Sequence, residues 1–194
     1  EYYDVKRRLW QQTVRMKAAL DRADIIFAVS DTTANDLERI YAVPRSKIIT
    51  TYPGVDHRGA PGPASAAAQR DVRNRFFLPG SFCLMLGTLE PRKNIETAIE
   101  ALALLPQDVH LVLAGRLGWR YRTLLKSIQR SPAKNRIHVL GYVADEHDTA
   151  ALTSLASVLL YPSRYEGFGF PPLEAARLGT PSVTSNVSSM PEVA

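Results

Sequence analysis

The sequence predicts an α/β protein: a Rossmann-like parallel sheet with helices on both faces, preceded by a short strand–helix–strand unit. From Phe82 onward, short apolar runs alternate with amphipathic stretches, as they do when helices cover both faces of a parallel sheet. Most of the runs end in glycine or proline, where strands give way to loops. Residues 53–69, with Pro53, Gly54, Gly59, Pro61, Gly62, Pro63 and then Ala64–Ala68 apart from one serine, read as a linker between this alternation and an earlier one.

Taken in order, residues 5–20 place Val5, Leu9, Thr13, Met16 and Leu20 at three- and four-residue steps, which predicts an amphipathic helix. Its basic opposite face suits either a core-packed helix or one lying on a membrane surface. Asp24–Ser30 is a short buried strand. Ser30 or Asp31 caps a helix over 32–41, and Lys47–Tyr52 is a second strand ended by Pro53-Gly54. A short helix over 71–77 breaks at Leu78-Pro79-Gly80. Strands are then predicted at 83–86, 109–114, 137–140, 158–161 and 182–184. The helices between them cover 95–105, 119–129, a segment capped by Asp145 that runs to 154, and 172–178. Ligands of such a sheet bind at the carboxyl ends of its strands.

Composition sets the outer limits. Of 194 residues 45% are hydrophobic and 22% charged, an ordinary globular balance. No apolar run approaches the roughly 18–20 residues that span a bilayer. The opening residues form no secretory signal, and without a start methionine the chain is expected to be a piece of a longer protein. Cys83 is the lone cysteine; it reads as a small core residue and fits a reducing cytoplasm. The net charge of +5 suits phosphorylated ligands, an anionic membrane face or nucleic acid, and does not choose among them.

The most informative stretch is Tyr161 to Gly179. An apolar run ends at Tyr161, a loop with Gly167 and Gly169 follows, and a helix is predicted to open at the proline pair and stop at Gly179. Glycines let backbone N–H groups approach a ligand, and a helix N-terminus adds donors and partial positive charge, favouring a phosphate or a hydroxyl-rich ligand. Glu166 lies in the loop and Glu174 in the expected first turn of the helix, with seven residues between them. Glu174 could accept hydrogen bonds from a ribose diol, or serve only as a dipole-favoured carboxylate at a helix start.

The string Glu166-Gly167-Phe168-Gly169-Phe170-Pro171 through Glu174 resembles the E-x7-E signature of retaining glycosyltransferases of family 4 (glycosyl transferases group 1), which have the two-domain GT-B architecture. The resemblance implies that Glu174 binds the donor ribose and that Glu166 lies by the donor sugar. It implies that Gly167, Phe168, Gly169 and Phe170 border the nucleotide. The phrase from Ala28-Val29-Ser30 to Pro53-Gly54-Val55-Asp56 resembles the end of the family's acceptor-side domain. Residues 1–52 are therefore expected to close that domain, 53–69 to link, and 70–194 to form most of the donor-binding domain. So partial a chain is expected to be inactive alone.

Gly87-Thr88-Leu89-Glu90-Pro91-Arg92-Lys93-Asn94 follows the first strand of the larger alternation. Arg92 and Lys93 supply a forked donor and a point charge before a helix that Asn94 could cap, the pair that holds a diphosphate. The phrase is similar to the phosphate-binding loop of bacterial mannosyltransferases of surface-polysaccharide assembly. Thr88 stands where many members carry arginine, and Arg92 is expected to replace it. By the same resemblance Gly115 borders the donor, Tyr142 and Val143 contact the base through their backbone, and Ser188–Glu192 lies beside the donor. Read alone, Tyr142 and Val143 are ordinary strand-end packing.

The expected activity is hexosyl transfer with retention from a nucleotide sugar, GDP-mannose preferred and a UDP-sugar next, to a saccharide or lipid-linked acceptor. The expected place is the cytoplasm, including peripheral association with the inner face of the membrane. No metal is expected: no D-x-D pair follows a strand, Asp145-Glu146-His147-Asp148 reads as an acidic helix start, and the histidines lack H-E-x-x-H spacing. No G-x-G-x-x-G follows a strand, against a nicotinamide or flavin enzyme. The alternatives are a non-catalytic sugar-nucleotide binder and a basic nucleic-acid module; the latter lacks aromatic–basic interleaving, and no nucleic acid partner is expected.

Overall fold

The computed structural model describes residues 16–55 and 61–194, and these divide into two units between Pro53 and Gly54. The smaller unit runs α1 (Met16–Arg22), β1 (Ile26–Ala28), α2 (Asp31–Tyr41) and β2 (Ile48–Thr50). The two strands are parallel, with Ile26 opposite Ile48. Leu20, Ala28, Ala34, Val43 and Ile48 form its core. Ser30 is the cap of α2, its hydroxyl accepting from the Thr33 amide at 3.0 Å. Asp31 instead accepts from the hydroxyls of Thr50 and Tyr52. Most of the first predicted helix lies outside the described residues; its last turns are α1, with Leu20 buried.

The larger unit begins with α3 (Ala66–Arg75) and β3 (Ser81–Leu86). It continues through α4 (Ile95–Ala103), β4 (Val109–Ala114), α5 (Tyr121–Arg130), β5 (Ile137–Gly141), α6 (Glu146–Leu155) and β6 (Val158–Tyr161). It closes with α7 (Phe170–Arg177), β7 (Ser182–Thr184) and α8 (Met190–Val193). The strands form one parallel sheet in the order β5-β4-β3-β6-β7. Side chains alternate across it. Cys83, Met85, Leu111 and Leu113 meet Ile95, Ile99, Leu102, Leu124 and Ile128 of α4 and α5 on one face. Phe82, Leu84, Val112 and Leu159 meet Val72, Leu152 and Ala175 of α3, α6 and α7 on the other. Arg136 is buried and donates to the carbonyls of Leu102, Pro106 and Val109, tying the exit of α4 to the entry of β4.

Several elements begin or end one or two residues from expectation, and two boundaries bear on the linker and the site. The alanine-rich stretch read as linker enters α3 at Ala66, with Ser65 accepting from the Ala68 amide; alanine is the best helix former, and a serine ahead of the run supplies the cap. Helix α7 opens at Phe170, two residues before the expected start.

The chain lays down β3, β4 and β5 outward and then crosses back to place β6 on the other flank of β3. At that reversal the connections leave the sheet in opposite directions, so a crevice opens between the carboxyl ends of β3 and β6, where open α/β sheets bind ligands.

Candidate functional site

Loops from both sides of this crevice converge on one carboxylate. Pro91–Lys93, a turn of 3-10 helix after β3, presents two cations. The loop after β6 presents Glu166. Lys93 Nζ donates to Glu166 Oε1 at 2.8 Å, and Arg92 lies 2.5 Å from Oε2. Arg92 Nε also donates to Glu90 at 2.9 Å, and its guanidinium to the Tyr165 carbonyl at 2.7 Å. Lys93 reaches Tyr161, the last residue of β6, at 2.6 Å. Lys93 and Glu166 are only 9% and 8% exposed, whereas Arg92 is partly open to solvent.

Burial and the neighbouring charges together set the titration of each member. Burial opposes ionisation of Glu166, but hydrogen bonds from Lys93 and Arg92 outweigh it and hold the carboxyl below its usual range. Burial pushes Lys93 down and the charge of Arg92 adds to that, with only part recovered from Glu166. Burial and then the charge of Glu166 raise the Tyr161 phenol, which stays protonated through the physiological range. The Glu166 loop is fixed from behind. Its amide donates to Ser188 Oγ at 3.1 Å, and the hydroxyls of Ser188 and Ser189 donate to its carbonyl.

Beside this cluster lies a cleft of about 520 Å³, within the range of small-molecule sites. Its floor is the strand ends: Leu86 and Gly87 after β3, Ala114 and Gly115 after β4, Tyr142 and Val143 after β5. Its walls come from α6 and α7, the latter contributing Glu174 and Arg177. The Arg116 guanidinium stacks over the Tyr142 ring at 4.2 Å, making a flat cationic platform. Gly87 joins cleft and cluster, because a Cβ placed there would lie 3.6 Å from Lys93 Nζ.

The structure thus groups the expected residues into two sets. Arg92, Lys93 and Glu166 come together in the cluster; Glu174, Gly115, Tyr142 and Val143 line the cleft. Tyr142 is exposed on the cleft rather than packed in the sheet. Glu174 lies in the second turn of α7 because the helix starts at Phe170, so a first-turn dipole does not account for it. The helix start offers fewer donors than expected, since Pro171 and Pro172 occupy its first turn and carry no N–H. The charged donors at the crevice are side-chain cations, Arg92 and Lys93.

Three residues of the glycine-bearing loops also make packing contacts within the protein. The Phe168 ring is buried and meets Phe170 edge-on at 5.3 Å. Gly169, at φ 126°, faces Met190, whose Cε would lie 2.4 Å from an added Cβ. Gly115, at φ 154°, is needed for a protein contact: a Cβ there would fall 1.9 Å from the Gly87 carbonyl oxygen. Asn94 is left-handed at φ 56° and makes no side-chain cap to α4; its Oδ1 accepts from Thr97 and Arg164 instead. Tyr161 and Glu90 were not expected in the site. Tyr161 ends an apolar run with a polar tip, which is the available sequence signal for it. Asp145 accepts from the amides of His147 and Asp148 and so caps α6, and Asp148 pairs with Arg75.

The doubly wound sheet, the cations at its switch point and the adjoining cleft define an α/β domain with a cationic, ligand-sized crevice. The chain belongs to the glycosyl transferases group 1 family, whose profile matches residues 70–194; residues 1–58 match the profile of glycosyltransferase family 4. It is 37% identical over 196 residues to O-antigen chain mannosyltransferase B of Escherichia coli, covering 98% of this chain and 51% of the relative. It is 33% identical over 126 residues to a GDP-mannose-dependent alpha-(1-6)-phosphatidylinositol dimannoside mannosyltransferase of Mycobacterium tuberculosis, covering 63% and 32%. The crystal structure of Anabaena HepE in complex with UDP and glucose superposes with a TM-score of 0.78 at 22% identity, over 87% of this chain and 46% of that one. The chain spans about half the length of the first of these relatives.

Proposed function

We propose that the intact protein transfers mannose from GDP-mannose, with retention of configuration, to a saccharide or lipid-linked acceptor. The observation that carries this is the pair of cations, Arg92 and Lys93, held at the crevice by Glu166 beside a nucleotide-sized cleft. During glycosyl transfer the departing nucleoside diphosphate gains negative charge, and fixed cations stabilise that state more than the ground state. Glu166, held at the same point, faces the donor sugar. Glu174 accepts from the two ribose hydroxyls, and the base lies against Tyr142 and Val143. The names of the two mannosyltransferase relatives, one of them GDP-mannose-dependent, support the sugar and the base. A UDP-sugar is the competing donor, supported by the HepE complex. On this reading residues 1–52 close the acceptor-side domain and 70–194 belong to the donor domain. Among the described residues no helix is long and apolar enough to cross a membrane, and work on a lipid-linked acceptor would place the protein at the cytoplasmic membrane face. The test is a panel of GDP-, UDP- and ADP-sugars with the intact protein; turnover of none of them sinks the reading.

Two outcomes follow from the same geometry. Glu174→Gln replaces an acceptor for two hydroxyls with an amide that accepts at one end and donates at the other. It is expected to weaken nucleoside and nucleoside diphosphate binding alike, by roughly tenfold. Unchanged calorimetric affinity would remove Glu174 from the ribose. With Arg92 and Lys93 neutralising the diphosphate, turnover is expected to survive EDTA. Loss of activity in chelator, restored by magnesium or manganese, would show that these cations are insufficient.

A further inference from the structure

We infer that Tyr161 is a positioning residue for the diphosphate-binding cation, acting through Lys93. This rests on the assignment of Lys93 to the donor diphosphate made above. Tyr161 closes β6 and is 3% exposed. Phenylalanine would fill the same space without burying a hydroxyl, whose desolvation is unfavourable unless it is bonded. Here the hydroxyl is engaged by the cluster. It accepts from Lys93 Nζ at 2.6 Å, and the Glu166 carboxylate lies close enough to help hold the phenol protonated. The ammonium also lies 4.4 Å from the centre of the Tyr161 ring.

An ammonium has three donors. Glu166 Oε1 and the Tyr161 hydroxyl take two of them, and Gly87, without a side chain, borders both Nζ and the cleft. Two fixed partners therefore aim the third N–H, and the absence of a Gly87 side chain leaves room for a phosphate oxygen to meet it. Without the phenol, Lys93 keeps a single anchor, Glu166, and turns about it. The charged groups that face Lys93 are Glu166, Arg92 and Glu90; those that act on Tyr161 are Glu166, Arg92 and Glu174.

The experiment titrates GDP, UDP, guanosine and uridine into the intact protein and its Tyr161→Phe, Tyr161→Gln and Lys93→Ala variants, across neutral to alkaline pH. Tyr161→Phe is expected to weaken the bound diphosphate about tenfold and leave the matching nucleoside unchanged. Removing an acceptor from an ammonium disfavours its charged form, so the alkaline fall in diphosphate affinity moves to lower pH. Tyr161→Gln, which restores an acceptor and a donor on a smaller side chain, recovers part of both. A packing role predicts the reverse order, with Phe better than Gln. That order, an equal loss for nucleoside and diphosphate, or an unchanged Tyr161→Phe beside a weakened Lys93→Ala would each overturn the inference. If Lys93→Ala itself fails to separate diphosphate from nucleoside, the assignment of the cation falls, and this inference with it.

Discussion

Glu166→Ala is expected to lower the thermal midpoint of this 194-residue chain by roughly 6–20 °C. Breaking a buried ion pair from one side costs about 3–5 kcal/mol, and each kcal/mol is worth about 2–4 °C in a chain of this size. The loss is large because Lys93, already 9% exposed, keeps only the Tyr161 hydroxyl once the carboxylate is gone. Arg92 suffers less, since Glu90 and the Tyr165 carbonyl still hold it at the edge of solvent. The double change Lys93→Met/Glu166→Leu is expected to recover much of the midpoint, because neither charge is then buried. The pH dependence has a definite sign. The folded-state pKa of Glu166 is depressed, so its contribution is fully present above the ordinary carboxylate value of 4.5. It drains away as the pH falls below that value. Calorimetry of wild type and Glu166→Ala from neutral pH into acid checks this. Equal midpoints would mean that the cluster adds nothing to stability.

Arg92→Ala and Lys93→Ala are expected to weaken nucleoside diphosphate binding about ten- to a hundredfold each, with little change for the nucleoside. Lys93 should lie at the upper end, because a buried cation is less screened by water and salt than the partly exposed Arg92. Turnover should fall further than affinity, since charge accumulates on the diphosphate as the sugar departs. Calorimetric titration below each variant's melting range separates loss of contact from loss of fold. Equal losses for nucleoside and diphosphate would take both residues out of the phosphate site.

The sheet was legible in the sequence where strands were buried on both faces. Val109–Ala114 and Val158–Tyr161 run between the residues expected, because largely apolar runs with glycine, proline or loop residues at their ends leave little choice; the edge strand Ser182–Thr184, with Val183 exposed, also does, marked by Pro181 ahead of it. The start of α3 was hidden by composition: alanines beside prolines and glycines look like linker, yet Ala66–Ala68 follow a capping serine. The charged members of the candidate site were legible because Arg92, Lys93 and Glu166 sit in loops after strands, with Glu174 in the helix that follows. The partners they choose were not. That Lys93 bonds Tyr161, and that Gly115 makes way for the Gly87 carbonyl while lining the cleft, depend on contacts between segments far apart in the chain. Periodicity and spacing carry no record of such contacts.

The pairing of the loops after β3 and β4 has a consequence for ligand length. Leu89 donates to the Arg116 carbonyl at 2.8 Å, Gly118 to the Leu89 carbonyl at 3.0 Å, and Gly115 has no Cβ to hold the Gly87 backbone away. The two loops therefore shift together or not at all. One carries the cations and the other the cleft floor, so on the proposed reading the distance from base to cation is set by the backbone, as on a ruler. On that reading a nucleoside diphosphate is expected to bind more tightly than the matching mono- or triphosphate, which calorimetric titration of the three nucleotides checks.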